Sequence, residues 1–227
     1  MHSYQAKISP AKNFFGQEWK VFLSSNGKDR KLKHSVLKMF SPEDYSFVFS
    51  SIEDSEKSNK ISKAAEWTIL WLKFKSLCNE SGSVVFDIDD TLVDGSEKKI
   101  VSICRVYKIA QKLGFVCNII TARPESKENR SYTKKMLASH GLSDYEVLYM
   151  MPSKTEPTME NISFYKYNAR MHVAQRHAIL CNLGDMWTDH IKMPCAHKEL
   201  RNRDVAECAI LFVPGTNYPS IKLPGVY

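Results

Sequence analysis

The sequence lacks any apolar stretch long enough to span a membrane. Its longest apolar run, residues 64–72, is interrupted by Glu66 and followed by Lys73 and Lys75, whereas a membrane-spanning helix needs about 20 consecutive apolar residues. Residues 1–19 also lack the basic start, unbroken apolar segment and small-residue cleavage site of a secretory signal. We therefore expect a cytoplasmic chain without membrane partners.

Paired cysteines and clustered histidines are missing too. The six cysteines are scattered without a CxxC pair, and the seven histidines show no HExxH spacing. These absences argue against a disulfide framework and against zinc bound by cysteine or histidine. We expect reduced cysteines in the core.

Acidic residues are fewer than basic ones, at 25 against 32, which gives a formal net charge of +7. A basic balance favours anionic partners such as phosphates or nucleic acid, although a solvated basic surface is an equal alternative. A chain of 227 residues with 43% hydrophobic residues has room for one α/β domain and an extension.

The order of patterns along the chain predicts that domain. Residues 1–60 are polar and irregular, with a basic segment at 28–38, and are interpreted as an N-terminal extension. Residues 61–77 have helical apolar spacing and begin the domain at 61–227. Short apolar runs then alternate with helical segments, as in a doubly wound, Rossmann-like parallel sheet of about five strands. The predicted strands are residues 84–86, 115–120, 145–150, 178–183 and 208–213.

A helix is predicted between the first two of these strands, over residues 96–113. Ser96 is its expected N-cap, and Gly114 follows its expected end.

Polar residues follow three of the predicted strands where each strand ends. The first strand leads into Asp-Ile-Asp-Asp-Thr at 87–91, the second into Thr-Ala-Arg at 121–123, and the fourth into a segment at 184–189. Ligands of such sheets bind beyond the carboxyl ends of the strands, so these segments should converge. Asp87 and Asp89 are expected to project to the same side. With Asp185 and Asp189 they would form an oxygen-rich site for a hard cation such as Mg²⁺.

These segments resemble the four motifs of the haloacid dehalogenase (HAD) superfamily of phosphotransferases. The matching elements are Asp87 to Thr91, Thr121, a lysine before the last catalytic strand, and Gly184-Asp185 with Asp189. Lys166 is the better candidate for the lysine, and Lys154 is the alternative. Within the superfamily the chain most resembles the acid phosphatase branch with four aspartates. The resemblance implies a HAD-like fold and hydrolysis of phosphomonoesters with Mg²⁺.

The resemblance also implies a role for each residue. Asp87 would be the nucleophile that forms an aspartyl-phosphate, and Asp89 would act as general acid and then base. Thr121 and Lys166 would bind and neutralise the transferring phosphoryl group. Arg123 is either a clamp for substrate or a structural ion pair. The implied metal ligands are Asp87, Asp89, Asp185 and Asp189.

Two further function classes stay open beside this one. The fold could serve binding or assembly without catalysis. Alternatively, the basic segment 28–38 could direct the enzyme to nucleic-acid ends. The motif spacing leaves room for minimal or no cap domain, which favours a bulky or macromolecular phosphomonoester. A homo-oligomer is a further partner class that stays open.

Overall fold

A computed structural model describes residues 56–190, 192, 208–212 and 216–225, and the backbone of four strands within residues 5–51. The strands are β1 (Gln5–Ile8), β2 (Val21–Ser25), β3 (Lys28–Asp29), β4 (Val48–Ser51), β5 (Ser83–Phe86), β6 (Val116–Glu125), β7 (Val147–Pro152), β8 (Ile179–Gly184), β9 (Ala209–Phe212) and β10 (Pro219–Lys222). The helices are α1 (Lys57–Leu77), α2 (Val101–Lys112), α3 (Lys127–Ser139), α4 (Met159–Arg176) and a 3₁₀ turn, Trp187–Asp189.

A mostly parallel sheet of seven strands organises the domain, in the order β4-β9-β10-β8-β5-β6-β7. The chain runs from β5 outward to β6 and β7 and then returns through α4 to β8 on the other side of β5. The order of strands therefore reverses between β5 and β8, and the carboxyl ends of parallel strands at such a reversal form a crevice. This confirms the predicted α/β fold.

All five predicted strands exist, but the last differs in direction. The run predicted at 208–213 forms β9, which pairs antiparallel with β10 and with β4. The sheet gains two strands that sequence patterns did not predict, β4 and β10. Of these, β10 lies between β8 and β9 although it follows both in the chain.

Buried apolar residues cover the two faces of this sheet. Successive strand residues alternate between faces, so Phe86 faces α2, where its ring centroid lies 5.4 Å from that of Tyr107. On the other face Val85 and Ile120 pack with Val173 of α4. Burial of each such side chain contributes about 1.5–3 kcal/mol. Helices α1, α2 and α3 cover one face of the sheet, and α4 covers the other. Together they enclose the strands that carry the motifs.

Helix α2 starts later than predicted, at Val101, and its N-cap Ile100 makes no side-chain hydrogen bond. The predicted cap Ser96 instead donates its hydroxyl to Oδ1 of Asp94 over 2.8 Å. Asp94 also accepts from the backbone N–H of Lys98 over 3.0 Å. Because Asp94 organises residues 94–98 as a turn, Ser96 is not available to begin a helix.

The predicted extension, residues 1–60, is described only in part. Its last four residues form the first turn of α1, and β4 pairs with β9 in the main sheet. Strands β1, β2 and β3 form a separate antiparallel sheet. Apart from β3, the basic segment 28–38 lies outside the described residues.

The segments between motifs are short where the structure describes them. Six residues, 153–158, join β7 to α4, and no domain is inserted between β5 and α2. Among the described helices, none combines the length and apolar character that crossing a bilayer requires.

Candidate active site

The first motif leaves β5 at the strand reversal. The backbone N–H of Asp87 donates to the carbonyl of Leu183 in β8 over 3.0 Å, which fixes the start of the loop. The chain then turns sharply, since the carbonyl of Ile88 accepts from the N–H groups of Leu92 and Val93 over 2.8 and 3.0 Å. Asp90 has a φ of 52° within this turn, a left-handed conformation that aspartate tolerates better than most residues.

This turn gives different exposure to the two aspartates that were expected to share one side. Asp87 is buried, with 7% of its side chain exposed, whereas the side chain of Asp89 is 54% exposed. The expectation assumed that the strand continues through residue 89, but β5 ends at Phe86. The two carboxylates therefore lie in different surroundings.

Asp87 belongs to a buried acidic cluster with Asp185 and Asp189. Each of the three offers one carboxylate oxygen, and these oxygens lie within 4.8 Å of one another. Asp89, a predicted fourth ligand, is not a member of this group among the described residues. The cluster lies at the adjoining ends of β5 and β8.

Lys166 of α4 neutralises part of this charge. Its Nζ lies 3.0 Å from Oδ1 of Asp87 and also pairs with Oδ1 of Asp189. Burial alone would lower the pKa of Lys166, but Asp189 and Asp87 raise it above its ordinary value. The alternative lysine, Lys154, is exposed on the turn between β7 and α4, so of these two lysines the structure brings Lys166 to the cluster.

The carboxyl groups of the cluster have strongly shifted pKa values. Burial raises the pKa of Asp87 well above its ordinary value, and Lys166 counters part of that rise. Burial, followed by the charge of Asp189, raises the pKa of Asp185 to about 7. For Asp189 burial acts in the same direction, but the charges of Lys166 and His190 and the hydrogen bonds from Lys166 and Met186 together lower the pKa. Carboxylate oxygens are the ligands that hard divalent cations prefer, so this donor set fits such a cation.

Three groups without a predicted role hold Asp189 in place. Arg170 donates from its guanidinium to the carbonyl of Asp189, and Asn182 donates to the same carbonyl over 2.8 Å. The backbone N–H of Met186 donates to Oδ2 of Asp189 over 2.9 Å. A signal for Asn182 was present in the sequence, because a polar residue interrupts the apolar run of β8.

Gly184 allows Asp189 to come this close to the strand. A Cβ atom on Gly184 would lie 2.4 Å from Oδ2 of Asp189, well inside van der Waals contact. The Gly-Asp pair that ends β8 therefore has a packing reason as well as a chemical one.

Outside the cluster, Arg123 at the end of β6 pairs with Asp89. Its Nε donates to Oδ2 of Asp89 over 3.0 Å, and its terminal nitrogen lies 2.6 Å from Oδ1. Oε1 of Glu97 lies 3.5 Å from the same nitrogen. Thr121 is buried, and its hydroxyl accepts from the backbone N–H of Arg123 over 3.2 Å. Arg123 thus forms an ion pair, and its role as a clamp for substrate stays a prediction.

A family model described as HAD superfamily, subfamily IIIB (acid phosphatase), matches residues 93–221. The match covers more than half of the chain and includes Thr121, Lys166, Asp185 and Asp189, whereas the Asp87 to Thr91 segment precedes it. No curated protein gave a match.

Proposed function

The chain belongs to the acid phosphatases of subfamily IIIB in the HAD superfamily, and on that premise we propose that it hydrolyses phosphomonoesters with Mg²⁺ through a phosphoaspartate on Asp87. Membership of this family shows that the chain is a phosphomonoester hydrolase. The Mg²⁺ ion, the phosphoaspartate and the role of each residue are what we propose. One observation supports them above all: Asp87, Lys166, Asp185 and Asp189 meet at the reversal between β5 and β8.

The protonation of Asp87 supports a divalent cation in this scheme. An attacking carboxylate must be ionised, yet burial raises the pKa of Asp87 well above its ordinary value. Lys166 supplies one positive charge at 3.0 Å, and a further cation between Asp87, Asp185 and Asp189 would complete the neutralisation. Carboxylate oxygens are ligands that Mg²⁺ accepts. When bound, the ion would offset charge on the phosphoryl oxygens.

Two steps follow from these positions. Asp87 attacks phosphorus in line, the bond to the ester oxygen breaks, and the leaving oxygen takes a proton from Asp89. Water then attacks the phosphoaspartate, its proton returns to Asp89, and Asp87 leaves as a carboxylate. Lys166 and Thr121 bind the phosphoryl oxygens in both steps, and Arg123 holds either Asp89 or the phosphate.

The test measures phosphate release from a panel of small phosphomonoesters, with MgCl₂ or with excess EDTA. We expect turnover with Mg²⁺ only, and none in Asp87→Asn. A matched control is Asp144→Asn, an exposed carboxyl remote from the motifs, which should keep wild-type turnover. Rapid quenching should trap one phosphoryl group on the peptide that contains Asp87. Near-normal activity of Asp87→Asn would refute the mechanism.

The same assay addresses the two other function classes. A domain retained for binding alone would release no phosphate from any ester at any Mg²⁺ concentration. An enzyme for nucleic-acid ends would prefer phosphorylated oligonucleotides and lose that preference steeply with added salt.

A cytoplasmic location is also part of the proposal. The described cysteines, Cys78, Cys104, Cys117, Cys181 and Cys208, are all unpaired, as expected in a reducing compartment.

A further inference from the structure

Glu97, in the loop before α2, has a backbone conformation that is uncommon for its residue type. Its φ is 60°, which lies in the left-handed region that residues other than glycine seldom adopt. Such residues persist where their surroundings hold them, and they cluster at functional sites. The conformation of Glu97 therefore calls for a structural cause.

Three contacts hold Glu97 in this conformation. Its backbone N–H donates to the carbonyl of Asp94 over 2.8 Å. Its own carbonyl lies 2.8 Å from Nε2 of His140, at the end of α3. The hydroxyl of Tyr132, also on α3, donates to Oε2 of its carboxylate. This hydrogen bond raises the pKa of Tyr132.

The other carboxylate oxygen of Glu97 faces the active site. Oε1 lies 3.5 Å from the terminal nitrogen of Arg123, the atom that also contacts Asp89. A continuous chain of polar contacts thus runs from Tyr132 through Glu97 and Arg123 to Asp89. Arginine has several rotatable bonds, and a second carboxylate restricts the orientations that its guanidinium can take.

We propose that Glu97, anchored by Tyr132, is a positioning residue that orients Arg123 and through it Asp89. The inference rests on the proposed function, in which Asp89 exchanges a proton with the leaving oxygen. Neither Glu97 nor Tyr132 contacts the acidic cluster. Their effect is on geometry, and small displacements of reacting groups reduce rates strongly.

The alternative is an ion pair that only stabilises the surface. The side chains of Glu97 and Arg123 are 40% and 17% exposed, and Tyr132 is 54% exposed. Pairs with this exposure contribute little to stability, so substitutions here should fold. Activity can then be measured on intact protein, and a surface role would leave it unchanged.

The experiment is a double-mutant cycle of Tyr132→Phe and Glu97→Gln. Each variant should lower kcat by about fivefold, the loss expected for one hydrogen bond that orients a reacting group. The double variant should be no slower than Glu97→Gln alone, because both changes interrupt the same chain of contacts. KM should change less than kcat, and esters with poor leaving groups should lose most, since these depend on proton transfer from Asp89.

Tyr149→Phe is the matched control, because it removes a tyrosine hydroxyl that contacts His172 at 2.9 Å rather than Glu97. It should keep wild-type kcat. Melting temperatures of all variants separate loss of fold from loss of rate.

Wild-type kcat in both single variants would overturn the inference, as would losses that simply add in the double variant. If the wild type turns over and Asp87→Asn does not, these results refute the inference alone. If the wild type releases no phosphate at all, the proposed function fails and the inference fails with it.

Discussion

The candidate active site has a buried half and an exposed half, although both begin in the same short motif. In the buried half, the side chains of Lys166, Asp87 and Asp189 are 5%, 7% and 3% exposed. In the exposed half, Asp89 is 54% exposed and pairs with Arg123. Two aspartates separated by one residue thus experience different dielectric surroundings.

The difference determines what each ion pair contributes. Removing one partner of a buried pair leaves a charge that water cannot reach, which is costly. An exposed pair is screened by solvent and salt, so its loss affects stability little. The buried half should therefore control stability and cation binding, whereas the exposed half should control the rate.

Lys166→Met is expected to have the largest effect on stability. It leaves Asp87 and Asp189 without their shared cation, which should lower the free energy of unfolding by about 3–5 kcal/mol and abolish turnover. Urea unfolding in EDTA measures the first and phosphate release with Mg²⁺ the second. The exposed Lys154→Met is the control, expected within about 0.5 kcal/mol of wild type. Equal unfolding midpoints for both variants would contradict the comparison.

Asp185 should give the buried half a characteristic pH dependence. Its pKa is raised from 3.8 to about 7, so between these values the folded state binds the proton more tightly than the unfolded state. Stability contributed by this group is complete below the unfolded pKa and is lost as pH rises through the folded pKa. In EDTA, the free energy of unfolding of Asp185→Asn should therefore increase relative to that of wild type as pH rises, by on the order of 2–4 kcal/mol.

Unfolding of wild type and Asp185→Asn across pH 4–8 measures this gain. Excess Mg²⁺ should reverse it, because the ion stabilises the ionised carboxyl of the wild type. A stability difference independent of pH in EDTA would show that Asp185 is not desolvated.

Gly184→Ala should disturb the buried half by packing rather than by charge. The new methyl group would overlap Asp189, and overpacking of this kind costs about 1–3 kcal/mol. Thermal unfolding measures this loss, and cation affinity measured by calorimetry should fall with it. Gly95→Ala is the control, since a Cβ there meets nothing within 4 Å. A fully stable Gly184→Ala chain would mean that Asp189 moves away at no cost.

Arg123→Gln should have the smallest effect on stability, about 0–1 kcal/mol, and concentrated NaCl should reduce it further. The matched control is Arg130→Gln, which removes a partly exposed pair between α3 and Glu125, the last residue of β6. Both variants should unfold alike in urea, but only Arg123→Gln should lose turnover. A loss of stability as large as that of Lys166→Met would remove the distinction between the two halves.

The sequence predicted those parts of the fold that local residue patterns determine. Apolar runs located β5 to β9, and the family resemblance was confirmed. Strand β10 was missed because its four residues begin with Pro219 and end with Lys222, and nothing in so short a run indicates a strand. The direction of β9 was missed because a single apolar run reads the same in parallel and antiparallel pairing.

The same limit applies to the site. Motif order alone named the residues that the structure brings together at β5 and β8. It did not predict the difference in burial between Asp87 and Asp89, because it extended a strand period through a turn in which Asp90 has a positive φ. Glu97 and Tyr132 belong to no motif, and their contacts exist only because the loop before α2 meets α3 in space.

The position of β10 has a consequence for how the chain is made. This strand completes the hydrogen bonds of β8, the strand that leads into Asp185, yet it is synthesised after every other strand of the sheet. Until residue 222 has left the ribosome, β8 presents an open edge next to the nascent site, and open edges favour pairing with other chains. Synthesis that stalls before β10 should therefore release an aggregating chain that binds the cation poorly, whatever the state of its aspartates.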